Sequence, residues 1–135
     1  MRSVLALEGV CHHALGKVQR NFYLARHGET DWNAQNRFQG LTDIALNDVG
    51  RRQARGLANR LRGCVDRVVG SSLVRAAETA QIVAATLDVP FVGVDPDLRE
   101  RGFGCFEGLT REECIRLQPA AWSAWTATPR TLPPG

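Results

Sequence analysis

Apolar residues in the stretch 47–62 recur at helical spacing, with Ala54, Leu57, Ala58 and Leu61 on one face and arginines on the other. This predicts an amphipathic helix whose first turn is capped by Asn47. Residues 72–87 repeat the pattern, turning Leu73, Ala76, Ala80, Val83, Ala84 and Leu87 inward, and predict a second helix. Around these, the periodicity gives way to short apolar runs at residues 22–25, 65–69 and 91–94, the last set off by Pro90. Each run predicts a buried strand. The order β-α-β-α-β implies an α/β fold with a mostly parallel sheet and right-handed crossovers. Thr110 and Glu113 make a capping box for a third helix, whose course is lost near Pro119. Residues 29–46 are polar and aperiodic and read as a long functional loop. Residues 1–20 show no clear period. They are taken as an N-terminal extension, with the domain occupying residues 21–135.

Composition narrows the function classes. The 135 residues are 44% hydrophobic and 23% charged, as in one packed domain. The formal charge is only +3, from 17 basic and 14 acidic side chains interspersed along the chain. With no groove-reading motif and no aromatic platform, a nucleic-acid partner is not expected. Lys17 is the only lysine. Arginine suits planar recognition of phosphate, but an arginine-rich coding bias explains the same count, so only individual arginines carry weight. Cys11, Cys64, Cys105 and Cys114 have neither metal-ligand nor disulfide-framework spacing. The apolar stretch 4–7 is cut by Glu8, too short for a signal-peptide core or a membrane span. The cytoplasm is the default expectation.

The strongest chemical signal is Arg26-His27-Gly28-Glu29-Thr30, placed directly after the first predicted strand. Open α/β sheets bind ligands at such strand ends. A histidine can attack phosphorus, an adjacent arginine can neutralise phosphoryl oxygens, and a glycine lets the backbone approach closely. A lone histidine there would more often satisfy a backbone partner. Arg75, opening the second predicted helix, is likewise a surface arginine or an anion ligand at a helix start.

The Arg26-His27-Gly28-Glu29-Thr30 segment resembles the R-H-G-x-T signature of the histidine phosphatase (phosphoglycerate mutase-like) superfamily. The likeness continues in order through Asp31-Trp32-Asn33, Arg37-Phe38-Gln39-Gly40, the 46–54 helix start, Ser71-Ser72-Leu73-Val74-Arg75-Ala76 with Thr79, and Leu98-Arg99-Glu100 followed by Gly104, Glu107 and Gly108. The resemblance implies a three-layer α/β sandwich. It also implies His27 as nucleophile, Glu100 as general acid and then base with a raised pKa, Arg26, Asn33 and Arg75 as phosphate ligands, and Gln39 with the Gly40 backbone as substrate contacts. It implies no metal and no cofactor, and a small phosphorylated substrate.

The chain departs from the family pattern in two places. The family completes its phosphate pocket with a second histidine in a late S-H-G-like turn, on a strand lying beside the first. The only other histidines here are His12 and His13, both ahead of the first predicted strand. The fold is therefore expected to be incomplete at the C-terminus, with unpaired or irregular strand pairing and an exposed apolar face that invites self-association. Arg101-Gly102-Phe103 after Glu100, and Thr126-Ala127 after Trp125, replace residues that mutases of the family use for substrate. These departures favour a phosphatase of small phosphomonoesters over a mutase, with Arg111 as a further substrate contact. A phosphate-binding fragment without turnover is the competing reading.

Overall fold

The computed structural model describes residues 4–12 and 18–127. Strands β1 (Val4–His12) and β2 (Val18–Arg26) form an antiparallel hairpin, paired in register from Val4 opposite Arg26 to His12 opposite Val18. A short helix, α1 (Asp31–Ala34), precedes α2 (Asp48–Arg60), β3 (Arg67–Ser71), α3 (Val74–Leu87) and β4 (Phe91–Asp95). Two single 3-10 turns, Pro96–Leu98 and Gly104–Phe106, lead to α4 (Arg111–Leu117) and α5 (Pro119–Ala127). The sheet order is β2-β1-β3-β4. Strands β3 and β4 pair in parallel, and β1 runs antiparallel to both β2 and β3. Strands β2, β3 and β4 therefore share one direction, and β1 alone is reversed.

The reversed strand departs from the expectation that residues 1–20 precede the fold. The sheet begins at Val4, and the place beside β2 is taken by β1. Strand pairing is made by backbone N–H and C=O groups that every residue carries, so a stretch without side-chain alternation can still join a ladder. His12 ends β1, and His13 lies outside the described residues. Strand β3 runs two residues later than expected at each end, through Gly70 and Ser71, where α3 packs so closely that a Cβ on Gly70 would lie 3.1 Å from that of Ala80.

The two expected helices form because their apolar faces meet one side of this sheet. Ala58 of α2, Val65, Val68 of β3, and Ala80, Val83 and Ala84 of α3 make the buried cluster, with Tyr23, Ala25, Leu57, Leu61 and Phe91 packed against it. Complete burial of side chains the size of Val68 and Val83 stabilises the fold by about 1.5–3 kcal/mol each. Asn47 caps α2 by accepting from Gly50 N at 2.9 Å. Helix α3 has no cap from its own preceding residue. Asp43, in the 29–46 loop, accepts from Val74 N at 2.7 Å instead.

The opposite side of the sheet carries Phe22 and Leu24, 65% and 70% exposed, together with exposed Val92 and Val94. Of the three layers expected, the described residues build the sheet and the helical layer of α2 and α3. Helices α4 and α5 pack elsewhere, around buried Phe106 and an aromatic group. Phe38 lies 5.1 Å from Phe103, Phe106 lies 5.7 Å from Trp122, and Trp122 lies 5.3 Å from Trp125, all between ring centroids. The Thr110–Glu113 capping box forms as expected, and Pro119 opens α5 instead of ending the helical course.

Candidate active site

One cavity of about 260 Å³ opens at the C-terminal end of β2. It is lined by Arg26, His27, Asn33, Gln39, Gly40, Arg75 and Glu100, the seven residues singled out from the sequence, and by Arg37, Phe38 and Phe103. The three elements involved converge there for local reasons. Strand β2 delivers Arg26 and His27. The loop after it is pinned under α2 and α3, with Gly28 N donating to Thr79 Oγ1 at 3.0 Å and Glu29 N donating to Gln53 Oε1 at 2.9 Å. Arg75 projects from the first turn of α3, and Thr79, one turn on, donates to the Arg75 carbonyl at 2.7 Å.

His27 is 8% exposed. Its Nδ1 lies 2.6 Å from the Gly28 carbonyl oxygen, and Arg75 Nε donates to its Nε2 at 3.2 Å. Since a carbonyl only accepts and a guanidinium only donates, the proton sits on Nδ1 and the Nε2 lone pair faces the site, where it accepts from Arg75. Burial pushes the His27 pKa from 6.5 down to about 4; the Gly28 carbonyl opposes the shift, and the charges of Arg75 and Arg26 reinforce it. The imidazole is thus neutral at pH 7.

Arg75, 1% exposed, is the largest fully buried side chain among the described residues. Its Nη1 donates to the Thr42 carbonyl at 2.9 Å and its Nη2 to the Gly40 carbonyl at 2.8 Å. Burial lowers its pKa, opposed by the carboxylates of Asp43, Glu100 and Glu107. Asn33 Oδ1 accepts from Thr30 N at 3.1 Å, completing the cap of α1. Gln39 Oε1 accepts from the Thr30 hydroxyl at 2.9 Å. In both residues the oxygen is committed to Thr30, so the amide N–H₂ is the group available to a ligand. Glu100, 9% exposed, brings a carboxyl group to the same cavity and accepts from Arg101 N at 3.1 Å. Arg26 is exposed at the rim.

Several functional-looking residues escaped sequence reasoning. Arg37 does line the cavity, but its Nη1 donates to Glu113 at 2.6 Å and to the Gly108 carbonyl, so its charge is balanced within the protein. Arg101 stacks its guanidinium over Phe103 and Trp125, 5.0 and 5.6 Å from the ring centroids. Thr30 and Thr79, both buried, tie the ends of the site together; both stood in the quoted motifs without a role. Arg111 opens α4 and does not line the cavity. Among the described residues no group of three His, Cys, Asp or Glu side chains is arranged to hold a metal ion. No helix of the described residues is long and apolar enough to cross a membrane.

The arrangement puts a neutral imidazole lone pair, a buried guanidinium, two amide donors and a buried carboxyl group around one hollow. The chain as a whole is similar to known proteins in sequence and fold. The chain is 44% identical over 106 residues to phosphoglycerate mutase-like protein 4 of Arabidopsis thaliana, covering 77% of this chain and 46% of that protein. It is 43% identical over 112 residues to the metal-independent phosphoserine phosphatase of the same plant, covering 81% and 47%. The solved structure of a mycobacterial glucosyl-3-phosphoglycerate phosphatase complexed with VO₃ superimposes with a TM-score of 0.67 at 34% identity, covering 79% of this chain and 51% of that one. The chain thus spans about half the length of the curated relatives it matches. The family model of the histidine phosphatase superfamily (branch 1) matches residues 22–135, and the chain belongs to that superfamily.

Proposed function

We propose that this chain carries the phosphate-handling half of a phosphomonoester hydrolase that works through a phosphohistidine on a small phosphorylated metabolite. The observation that carries the reading is the Nε2 lone pair of neutral His27, directed into a cavity that also holds Arg75 and Glu100. Nε2 attacks phosphorus in line with the ester oxygen, forming the N–P bond as the P–O bond breaks. Arg26, Arg75 and the amide N–H₂ groups of Asn33 and Gln39 stabilise the charge spread over the equatorial oxygens. Glu100 gives its proton to the departing alkoxide. It then takes one from water, whose oxygen attacks phosphorus, releasing phosphate and restoring neutral His27. Among the relatives, the phosphoserine and glucosyl-3-phosphoglycerate phosphatases favour hydrolysis over mutase-type transfer.

The test is rapid-quench labelling of this chain joined to the second half of a relative such as the Arabidopsis phosphoserine phosphatase. Acid-labile, alkali-stable phosphate is expected on His27. A His27→Ala version that still turns over substrate would remove the mechanism. A second reading rests on the cavity holding a single histidine among the described residues: the chain alone binds phosphate without turnover. Phosphate-dependent stabilisation of the 135-residue chain with no hydrolysis would favour it.

A further inference from the structure

Glu107 has no assigned part in the site, yet its carboxylate accepts four hydrogen bonds. It follows the 3-10 turn Gly104–Phe106 and accepts from Phe103 N at 2.8 Å, Leu41 N at 3.0 Å and Thr42 N at 2.9 Å, and from the Thr42 hydroxyl. Leu41 and Thr42 belong to the loop after Gln39, and their carbonyl neighbours are the ones that receive Arg75. Gly40 presents its accepting carbonyl from a left-handed backbone, φ +56°, pressed so closely on Glu107 that a Cβ there would fall 2.0 Å from Oε1. Burial pushes the Glu107 carboxyl up, but the bonds from Thr42, Phe103 and Leu41 outweigh it and hold the pKa below the ordinary carboxylate value. Its charge also acts on Arg75.

The contacts form one chain: Glu107 fixes the backbone N–H groups of 41 and 42, the same loop turns the carbonyls of Gly40 and Thr42 to the two Nη atoms of Arg75, and this leaves Nε aimed at His27 Nε2. Without the carboxylate, three backbone N–H groups lose their acceptor and the loop loses the reason for its shape. We propose that Glu107 is a positioning residue for the phosphate site, setting through the 40–42 loop the orientation in which Arg75 meets His27 and an incoming phosphoryl group. The inference rests on the phosphatase reading only for the identity of the ligand. The positioning itself is a statement about Arg75 and His27.

A glutamine at 107 keeps the size of the side chain but replaces one acceptor oxygen with an N–H₂ that opposes the backbone donors. In the 135-residue chain, NMR titration of the His27 imidazole, assigned with a His27→Asn variant, reads the Arg75 contact directly. Calorimetry with inorganic phosphate reads the site. Glu107→Gln is expected to raise the His27 pKa by about one unit or more toward 6.5, as the site hydrates and Arg75 swings away. It should also weaken phosphate binding by about tenfold or more. Thr42→Val, which removes only the hydroxyl bond, should move both in the same direction by less, and it decides the matter where Glu107→Gln does not fold. A folded Glu107→Gln protein, or failing that a Thr42→Val protein, with His27 titration and phosphate affinity at wild-type values would overturn the proposal. Failure of the wild-type chain to bind phosphate would instead remove the phosphatase reading, and the His27 titration would still decide the role of Glu107.

Discussion

The Nε–H of Arg75 donates to Nε2 of His27 across 3.2 Å, between two side chains 48 residues apart in sequence. That bond selects the Nδ1–H tautomer and covers the lone pair until a phosphoryl group displaces it. A planar guanidinium serves His27 and the carbonyls of Gly40 and Thr42 at once, whereas one ammonium on a flexible stem cannot. Arg75→Lys is therefore expected to weaken inorganic phosphate binding by about 1.5–3 kcal/mol, roughly one to two decades. Isothermal titration against the wild-type chain checks it, and equal affinities would detach Arg75 from the phosphate.

Gly28 and Gly50 bring the loop after β2 and the start of α2 into backbone contact. A Cβ on Gly50 would lie 2.2 Å from the Glu29 carbonyl oxygen, and one on Gly28 would lie 2.4 Å from that of Gly50. Since the obstacle is main chain, it cannot step aside as a flexible side chain would. Gly50→Ala should cost about 1–3 kcal/mol of stability and weaken phosphate binding as His27 shifts. Thermal unfolding with and without phosphate measures both effects, and an unchanged melting temperature would show that α2 is free to withdraw.

How much of this was legible in the sequence depended on what each feature rests on. Helices α2 and α3 were read correctly because their inward residues keep a 3.6 period. The seven candidate site residues, found through ordered motifs, all reach one cavity. Strand β1 was missed because its apolar stretch 4–7 is cut short by Glu8 and Gly9, and the rest of its length is held by backbone pairing with β2 and β3, which side-chain patterning does not reveal. Asp43 capping α3 from 31 positions away, and Glu107 anchoring a loop 65 positions away, were invisible for another reason. An acidic residue in a loop reads as solvated surface until the fold supplies its donors. Arg37 shows the converse, since its motif gave no hint that Glu113 had already claimed its charge.

The depressed His27 pKa makes stability depend on pH with a defined sign. The native imidazole takes a proton near pH 4 and the unfolded one near 6.5, so between these values the unfolded state binds more protons. The His27 contribution is complete above about pH 6.5 and lost as the pH falls to about 4, amounting to about 3 kcal/mol over the window. Denaturant titrations of wild type and His27→Asn at intervals from pH 7.5 to 4 should diverge in slope across this window. Parallel curves would mean that His27 is hydrated and near its ordinary pKa.

The uncovered side of the sheet predicts how the 135-residue chain behaves in solution. Phe22 and Leu24 stand exposed on β2, which is an edge strand in the order β2-β1-β3-β4, and Val92 and Val94 stand exposed on β4 at the other edge. Apolar area next to a strand edge that pairs with no other described strand combines two routes to association, burial of the face and extension of the ladder. Sedimentation at increasing protein concentration should show self-association. Phe22→Ser with Leu24→Thr should suppress it while leaving cooperative unfolding intact, since neither side chain belongs to the buried cluster beneath α2 and α3. Arginine or lysine placed at Val92 should have a smaller effect, because β4 has the shorter free edge, five residues against nine. A wild-type chain that stays monomeric at the highest concentration tested would show that this face tolerates water, and the self-association expected from the sequence would fall with it.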